Sequence, residues 1–103
     1  MGFKEESVPP LTQTEIDKKL QATKGWLQVG NALHRKFTLK TFPAAIEFVN
    51  RIARTAEKAG HHPDIDIRYN VVEIALSTHS AGGITEKDFA LAQQIDDLAS
   101  NLP

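Results

Sequence analysis

A long amphipathic segment that ends at a glycine constrains this fold more than any other part of the sequence. Thr41 can cap its start, Pro43 lies early enough that its missing amide proton costs nothing, and Gly60 can adopt a left-handed terminating conformation. The pattern predicts a helix over 43–59 with one apolar face. Phe48 lies beside this face, where it either widens the core surface or contributes to a second packing surface. The apolar residues at helical spacing are Phe42, Ala45, Ile46, Val49, Ile52, Ala53 and Ala56.

Two pairs of alternating segments flank this helix, and each pair predicts a β-hairpin. The first pair is joined by Gly30-Asn31, which tolerates positive φ, and the second bends near Asn70. Side chains alternate along a strand, so His34 lies on the other face of the strand from Leu33. There it is more typical of a solvated residue than of a catalyst. The predicted strands are Trp26–Val29, Leu33–Leu39, Asp64–Tyr69 and Val72–Ser77.

Two further helices complete the predicted fold. Thr12 to Glu15 fits a capping box that starts a helix ending near Ala22, and Thr85 begins a last helix with acidic residues in its first turn. The order α-β-β-α-β-β-α predicts an α+β fold with a four-stranded antiparallel sheet and three helices on one face. We expect residues 1–10 to form a flexible tail and residues 11–103 to form a single domain.

Composition excludes several classes of function. The 103 residues contain 12 basic and 13 acidic side chains, so the net charge of −1 gives no electrostatic footprint for direct nucleic-acid binding. The absence of cysteine excludes disulfides, thiolate catalysis and cysteine-based zinc sites. No apolar run has the length of a signal peptide or a membrane span, and we expect a cytoplasmic protein.

Three of the four histidines are placed to meet in one pocket. Asn70 is nine residues from both His61 and His79, so a hairpin that bends at Asn70 brings both to the same end of the sheet. Histidines titrate near neutral pH, and a donor and an acceptor each contribute roughly 10²–10⁴-fold to a proton-transfer reaction. Addition or removal of water suits such a site. The alternative interpretation is that His61 and His62 cap the last carbonyls of the preceding helix.

Two other chemistries are less well supported by the sequence. A metal site is conceivable, but the chain has neither a His-Glu-x-x-His helix nor a cysteine pair, and we expect no metal. A nucleophilic serine is conceivable at Ser77 or Ser80, but no Gly-x-Ser-x-Gly elbow occurs. The candidate metal ligands are Glu57, His61, His62, Asp64, Asp66 and His79.

Spaced motifs extend across nearly the whole predicted domain: Gly25-Trp26, Glu57-x-x-x-His61-His62-Pro63, Tyr69-Asn70, Thr78-His79, Gly83-Ile84-Thr85, Asp88 and Leu91-Ala92. Together they resemble the pterin-4a-carbinolamine dehydratase family. The resemblance implies a cofactor-free lyase that dehydrates 4a-hydroxytetrahydrobiopterin to quinonoid dihydropterin, in the recycling of the cofactor used by aromatic amino acid hydroxylases.

The resemblance also implies roles for individual residues. His61, His62 and His79 match the catalytic histidines, and Glu57 and Asp88 match the supporting acidic positions. The segments that match the pterin-contacting positions comprise Gly60, His61, His62, Ser77, Thr78, His79 and Ser80.

The resemblance further implies association with other chains. Family members form homodimers or homotetramers through sheet edges and helices, and one resembles a dimerisation cofactor of an animal homeodomain transcription factor. A protein-binding module that acts as a transcriptional coactivator is therefore an alternative to the enzyme. A second alternative is a dehydratase-like protein that serves another pterin, such as one in molybdopterin metabolism.

Overall fold

The computed structural model describes residues 8–102, in which three α-helices and four strands alternate in the predicted order. Residues 1–7 of the predicted tail lie outside the described part of the chain. A short 3₁₀ turn at His79–Ala81 lies between the last strand and the last helix. The elements are α1 (Gln13–Gln21), β1 (Leu27–Val29), β2 (Ala32–Thr38), α2 (Phe42–Ala59), β3 (Asp64–Arg68), β4 (Val71–Leu76) and α3 (Glu86–Ser100).

The four strands form one antiparallel sheet in the order β1-β2-β4-β3. The two predicted hairpins are its outer pairs, and the central pair joins β2 to β4 with Leu33 opposite Leu76 and Phe37 opposite Val72. The fold is therefore the predicted α+β arrangement. None of the helices within residues 8–102 is long and apolar enough to cross a bilayer.

The core lies between one face of the sheet and the three helices. Phe48 is fully buried and meets Phe37 edge-on at a ring-centroid distance of 4.9 Å. Phe48 thus widens the core face of α2. Each such buried apolar side chain contributes about 1.5–3 kcal/mol of transfer free energy. The fully buried apolar side chains also include Leu33, Ala45, Ile52, Val72, Ile74, Leu76, Ala92 and Ile95.

The predicted apolar face of α2 was wrong at two positions. Phe42 is 47% exposed and Ala53 is also exposed. The buried residues Ala45, Phe48 and Ile52 instead define the contact line with the core. Burial of Phe48 shifts the buried face toward that residue, and Phe42 and Ala53 lie beyond its opposite edge.

The β3–β4 turn also differs from its prediction, because Tyr69 belongs to the turn and not to the strand. Arg68 pairs with Val71, so Tyr69 and Asn70 are the two turn residues, and Tyr69 has a φ of 56°. A left-handed conformation is unfavourable for a bulky residue. Asn70 holds this turn against the end of β2, since its side-chain amide donates to the Leu39 carbonyl and its own carbonyl accepts from the Leu39 amide, each at 2.8 Å.

A polar network fastens β1 and β2 to α3. The Trp26 indole donates to Asp96 at 2.9 Å, and Arg35 Nη1 donates to the same carboxylate at 2.9 Å. Burial raises the pKa of the Asp96 carboxyl, while the hydrogen bond from Trp26 and the charge of Arg35 act in the opposite direction. Gly25 has a φ of 91°, a conformation that favours glycine, and a Cβ atom here would also lie 2.6 Å from the Arg35 guanidinium carbon, so that Arg35 would have to shift.

Candidate active site

The end of α2 positions two of the histidines. Gly60 ends the helix with φ 64° and ψ 31°, a conformation that glycine adopts without the penalty of a side chain. Two of the last helical carbonyls accept from the backbone, because the amides of Gly60 and His61 donate to Glu57 and Ala56 at 3.1 Å. The rings of His61 and His62 bond to the side chains of Asp88 and Glu57 and not to helical carbonyls.

The β3–β4 hairpin brings the third histidine to the same end of the sheet. Asp64 pairs with Ala75, so the residues just before β3 and just after β4 are neighbours. Thr78 then forms an isolated antiparallel bridge with Gly83, which turns the chain back on itself. His79 begins the 3₁₀ turn within this loop.

These segments line an open cavity of about 530 Å³. This volume falls in the range of small-molecule pockets. Seven of its lining residues are those that the sequence analysis named as pterin-contacting, and the eighth, Lys87, was missed. The lining residues are Gly60, His61, His62, Ser77, Thr78, His79, Ser80 and Lys87.

A buried carboxylate fixes the orientation of His61. His61 Nε2 lies 2.6 Å from Asp88 Oδ1, and Asp88 has no solvent exposure. The second oxygen of Asp88 accepts from the Thr78 hydroxyl and from the Thr85 backbone amide, each at 2.9 Å. Three donors thus converge on a group that, as a carboxylate, can only accept.

The directions of the hydrogen bonds in this network follow from its members. The Thr78 hydroxyl donates to Asp88, so the Thr85 hydroxyl must donate to Thr78, 2.8 Å away. Thr85 Oγ1 in turn accepts from the Lys87 backbone amide at 3.1 Å. Every buried side-chain nitrogen and oxygen in the described residues has a hydrogen-bond partner. A fully satisfied buried network holds its members in one geometry.

This network also selects the tautomer of His61. Because Asp88 accepts, His61 Nε2 must carry the proton of their hydrogen bond, and a neutral ring then has its lone pair on Nδ1. Nδ1 is therefore the nitrogen of His61 that can exchange a proton with a bound molecule. In serine proteases a buried aspartate likewise holds the catalytic histidine in one tautomer and orientation.

The other two cavity histidines have different surroundings. His62 Nε2 lies 2.9 Å from Glu57 Oε1, but these side chains are 68% and 80% exposed. An exposed pair of this kind contributes little to stability. The His79 side chain is exposed and has no hydrogen-bond partner within residues 8–102, so both of its ring nitrogens are available to a ligand.

The described residues around the cavity give little support to a metal site or to a nucleophilic serine. Within residues 8–102, no three His, Asp or Glu side chains are grouped as a metal ion would require. Asp64 and Asp66 lie on the exposed side of the edge strand β3. Neither Ser77 nor Ser80 is hydrogen-bonded to a histidine in this part of the chain. His34 lies on the uncovered face of the sheet, 3.5 Å from Glu73 and outside the cavity.

The capping pattern at the start of α3 indicates one of the contacts that Asp88 makes. The pattern Thr85 to Asp88 predicts a helix start, and the structure has this cap, in which Asp88 accepts from the Thr85 amide. The same carboxylate holds His61, so one residue both caps α3 and supports the cavity. The capping pattern gives no indication of that second contact.

A sequence profile described as pterin 4 alpha carbinolamine dehydratase matches residues 9–98. A Chloroflexus aurantiacus protein named "Putative pterin-4-alpha-carbinolamine dehydratase" is 55% identical over 91 residues, which cover 88% of this chain and 98% of that protein. A Chloroflexus aggregans protein of the same name is 57% identical over 89 residues, which cover 85% of this chain and 95% of that protein.

Two solved structures are similar in fold. A transcriptional coactivator/pterin dehydratase from Brucella melitensis has a TM-score of 0.84 at 38% identity, covering 87% of this chain and 98% of that one. A pterin dehydratase-like protein identified as a RuBisCO assembly factor in the alpha-carboxysome has a TM-score of 0.60 at 25% identity, covering 72% of this chain and 86% of that one.

Proposed function

The chain belongs to the pterin-4a-carbinolamine dehydratase family, and we propose that it dehydrates 4a-hydroxytetrahydropterins to quinonoid dihydropterins. The observation that carries this proposal is the cavity in which His61, His62 and His79 meet, with His61 fixed by the buried Asp88. Such a site offers several imidazoles to one small molecule, and dehydration needs both a proton donor and a proton acceptor.

The proposed reaction is an elimination without any change of redox state. One protonated imidazole gives a proton to the 4a-hydroxyl oxygen, the bond between C4a and oxygen breaks, and water leaves. A ring-nitrogen proton passes to a neutral imidazole, and the electron pair it leaves behind forms the new carbon–nitrogen double bond. His61, through Nδ1, and His79 are the two groups that we assign to these transfers.

The remaining lining residues bind and orient the pterin in this proposal. His62 is exposed at the cavity and held by Glu57, which suits a role in orientation. Ser77 and Ser80 offer hydroxyl groups, and Gly60 lets the backbone approach the ligand closely. No metal or organic cofactor takes part, because proton transfer by imidazoles is sufficient for loss of water.

We propose 4a-hydroxytetrahydrobiopterin as the substrate, in the recycling of the cofactor of an aromatic amino acid hydroxylase. The test is the rate of loss of the 4a-hydroxy compound, generated in situ by a hydroxylase, with and without the purified protein and with a chelator. We expect acceleration that the chelator does not change. No acceleration by folded protein would overturn the proposal, and sensitivity to the chelator would point to a metal-dependent reaction.

A protein-binding role is a second candidate. It is favoured by the two structural relatives, one a transcriptional coactivator/pterin dehydratase and the other a RuBisCO assembly factor, and by the exposed apolar side chains of Leu27 and Val29. Affinity purification from the native source distinguishes the roles. A stoichiometric complex with another protein that persists when His61 and His79 are replaced would favour binding as the main function.

A further inference from the structure

Lys87 is the cavity residue that the proposed reaction leaves without a role. It lies in the first turn of α3, directly before Asp88, and its side chain is exposed at the cavity wall. Its ammonium group forms no ion pair with any residue in the range 8–102. The neighbouring Glu86 is instead paired with Lys19 at 3.1 Å.

The permanent charge on the cavity lining is positive, with no negative charge among the described lining residues to balance it. Lys87 is the single lining residue with a permanent charge, and no carboxylate belongs to the lining. The acidic groups that contact lining residues, Asp88 and Glu57, are paired with His61 and His62. A ligand in the cavity therefore meets an ammonium group that has no counter-charge of its own.

The pterin ring offers no charge that could pair with the Lys87 ammonium group. The reacting atoms of the ring must lie among the histidines for the proton transfers. A cavity of about 530 Å³ is large enough for a drug-sized ligand, so a bicyclic ring leaves room for a substituent. A Lys ammonium is a compact point charge that suits a phosphate or a carboxylate.

We propose that Lys87 is a specificity-determining residue that favours reduced pterins whose side chain carries an anionic group, with a phosphate ester as the best match. This inference rests on the proposed function, since it places the pterin ring at the histidines, and it extends the substrates from 4a-hydroxytetrahydrobiopterin to pterins with an anionic side chain. An exposed ion pair is weak, so we expect a preference of roughly threefold to fivefold. Screening by salt should reduce that preference.

The test compares two ligands on three proteins by isothermal titration calorimetry. The ligands are a dihydropterin with a hydroxylated side chain and the phosphate monoester of the same compound. The proteins are the wild type, Lys87→Met and Lys40→Met. Lys40 is a matched control because it is exposed and lines no part of the cavity. It follows β2 at the end of the sheet that holds the Asn70 turn, which is the end away from His61 and His79.

We expect the wild type and Lys40→Met to bind the monoester about threefold to fivefold more tightly than the neutral compound. Lys87→Met should bind both equally, and Lys87→Arg should recover most of the preference. Equal binding of the two ligands by the wild type, or a preference that survives in Lys87→Met, would overturn the role of Lys87 alone. If neither pterin bound the wild type, the proposed function would be overturned as well.

Discussion

His61 differs from the other two cavity histidines because its ring is largely buried and is held by a buried hydrogen-bond network. The Asp88 carboxylate beneath it is fully buried and receives hydrogen bonds from Thr78 and Thr85. These contacts fix the ring and leave Nδ1 for proton exchange. Asp88 is a positioning residue in this account, because it acts through His61.

Replacing Asp88 by Asn should therefore lower turnover by about 10²-fold or more. The asparagine oxygen can still accept from Thr78 and Thr85, but its amide group would face His61 Nε2 and move the ring proton to Nδ1. Steady-state kinetics measure the loss, and ¹⁵N NMR of the histidine rings reports the change of tautomer. We also expect a loss of about 1–3 kcal/mol in unfolding free energy, because a buried charge-assisted network is weakened.

The matched control is Glu57→Gln, which makes the same change in the exposed pair with His62. We expect its effect on turnover to stay within a few-fold, because an exposed pair contributes little. An Asp88→Asn variant that keeps the wild-type rate, or one that slows no more than Glu57→Gln, would contradict the positioning role.

At this scale, the sequence predicted the meeting of His61 and His79 because it depends only on the register of one hairpin. The position of Lys87 depends on the path of residues 79–85, where the amide of Thr78 donates to Gly83 and the amide of Gly83 donates back to Thr78. Such a loop leaves no periodic signature. The contact between Asp88 and His61 spans 27 residues and was likewise not derivable from spacing.

For the helices and strands, the residues that mark helix ends were the most informative part of the sequence. Thr12, Thr41 and Thr85 are the observed N-caps, and Gly60 ends α2 as predicted. Errors arose where tertiary contacts decide the outcome, as at Phe42. Local hydrogen-bonding patterns are specified by a few neighbouring residues, whereas the orientation of a helix depends on what it packs against.

The capping box of α1 predicts a pH-dependent contribution to stability. The hydrogen bonds from the Thr12 backbone and side chain lower the pKa of Glu15 from its ordinary value of 4.5. A carboxyl with a lowered pKa in the folded state stabilises the fold above its unfolded pKa, and this contribution is lost as the pH falls. Thermal melts of the wild type and Glu15→Gln should differ by a few degrees at neutral pH and converge near pH 3.

Asp64→Asn provides a matched loss of one negative charge on β3, at a residue without a side-chain hydrogen bond in the described chain. A difference between the wild type and Glu15→Gln that grows on acidification would contradict the account of the cap. A difference that is independent of pH would mean that the charge of Glu15 adds nothing to its hydrogen bond.

At the scale of the whole molecule, the two edges of the sheet differ in character. The edge strand β3 presents the exposed charges of Asp64, Asp66 and Arg68. The other edge strand, β1, presents Leu27 and Val29, which are 68% and 55% exposed. Charges on an edge strand oppose pairing with another chain, whereas an exposed apolar edge favours it.

We therefore expect the chain to form a homodimer or homotetramer that uses the β1 edge. Leu27→Lys should lower the mass measured by size-exclusion chromatography with light scattering while leaving the circular dichroism spectrum unchanged. Asp64→Lys makes a comparable replacement on β3 and should leave the mass unchanged. A monomeric wild type, or an unchanged mass for Leu27→Lys, would contradict this assignment.

The sequence predicted an antiparallel sheet but not its strand order. Hairpins leave turn signals such as Gly30-Asn31, while the central pairing of β2 with β4 joins segments about 40 residues apart. That pairing is specified by the joint burial of Leu33, Phe37, Val72 and Leu76 against the helices. Only the complete fold brings these residues together.

We assign the proton transfers to His61 and His79 in one cavity, and turnover of 4a-hydroxytetrahydropterin by single histidine variants tests this assignment. His61→Ala and His79→Ala should each be slower than the wild type by about 10²-fold or more, with unchanged circular dichroism spectra. His34→Ala removes a histidine on the uncovered face of the sheet and should keep the wild-type rate. Near wild-type turnover in both cavity variants, or an equal loss in His34→Ala, would contradict the claim.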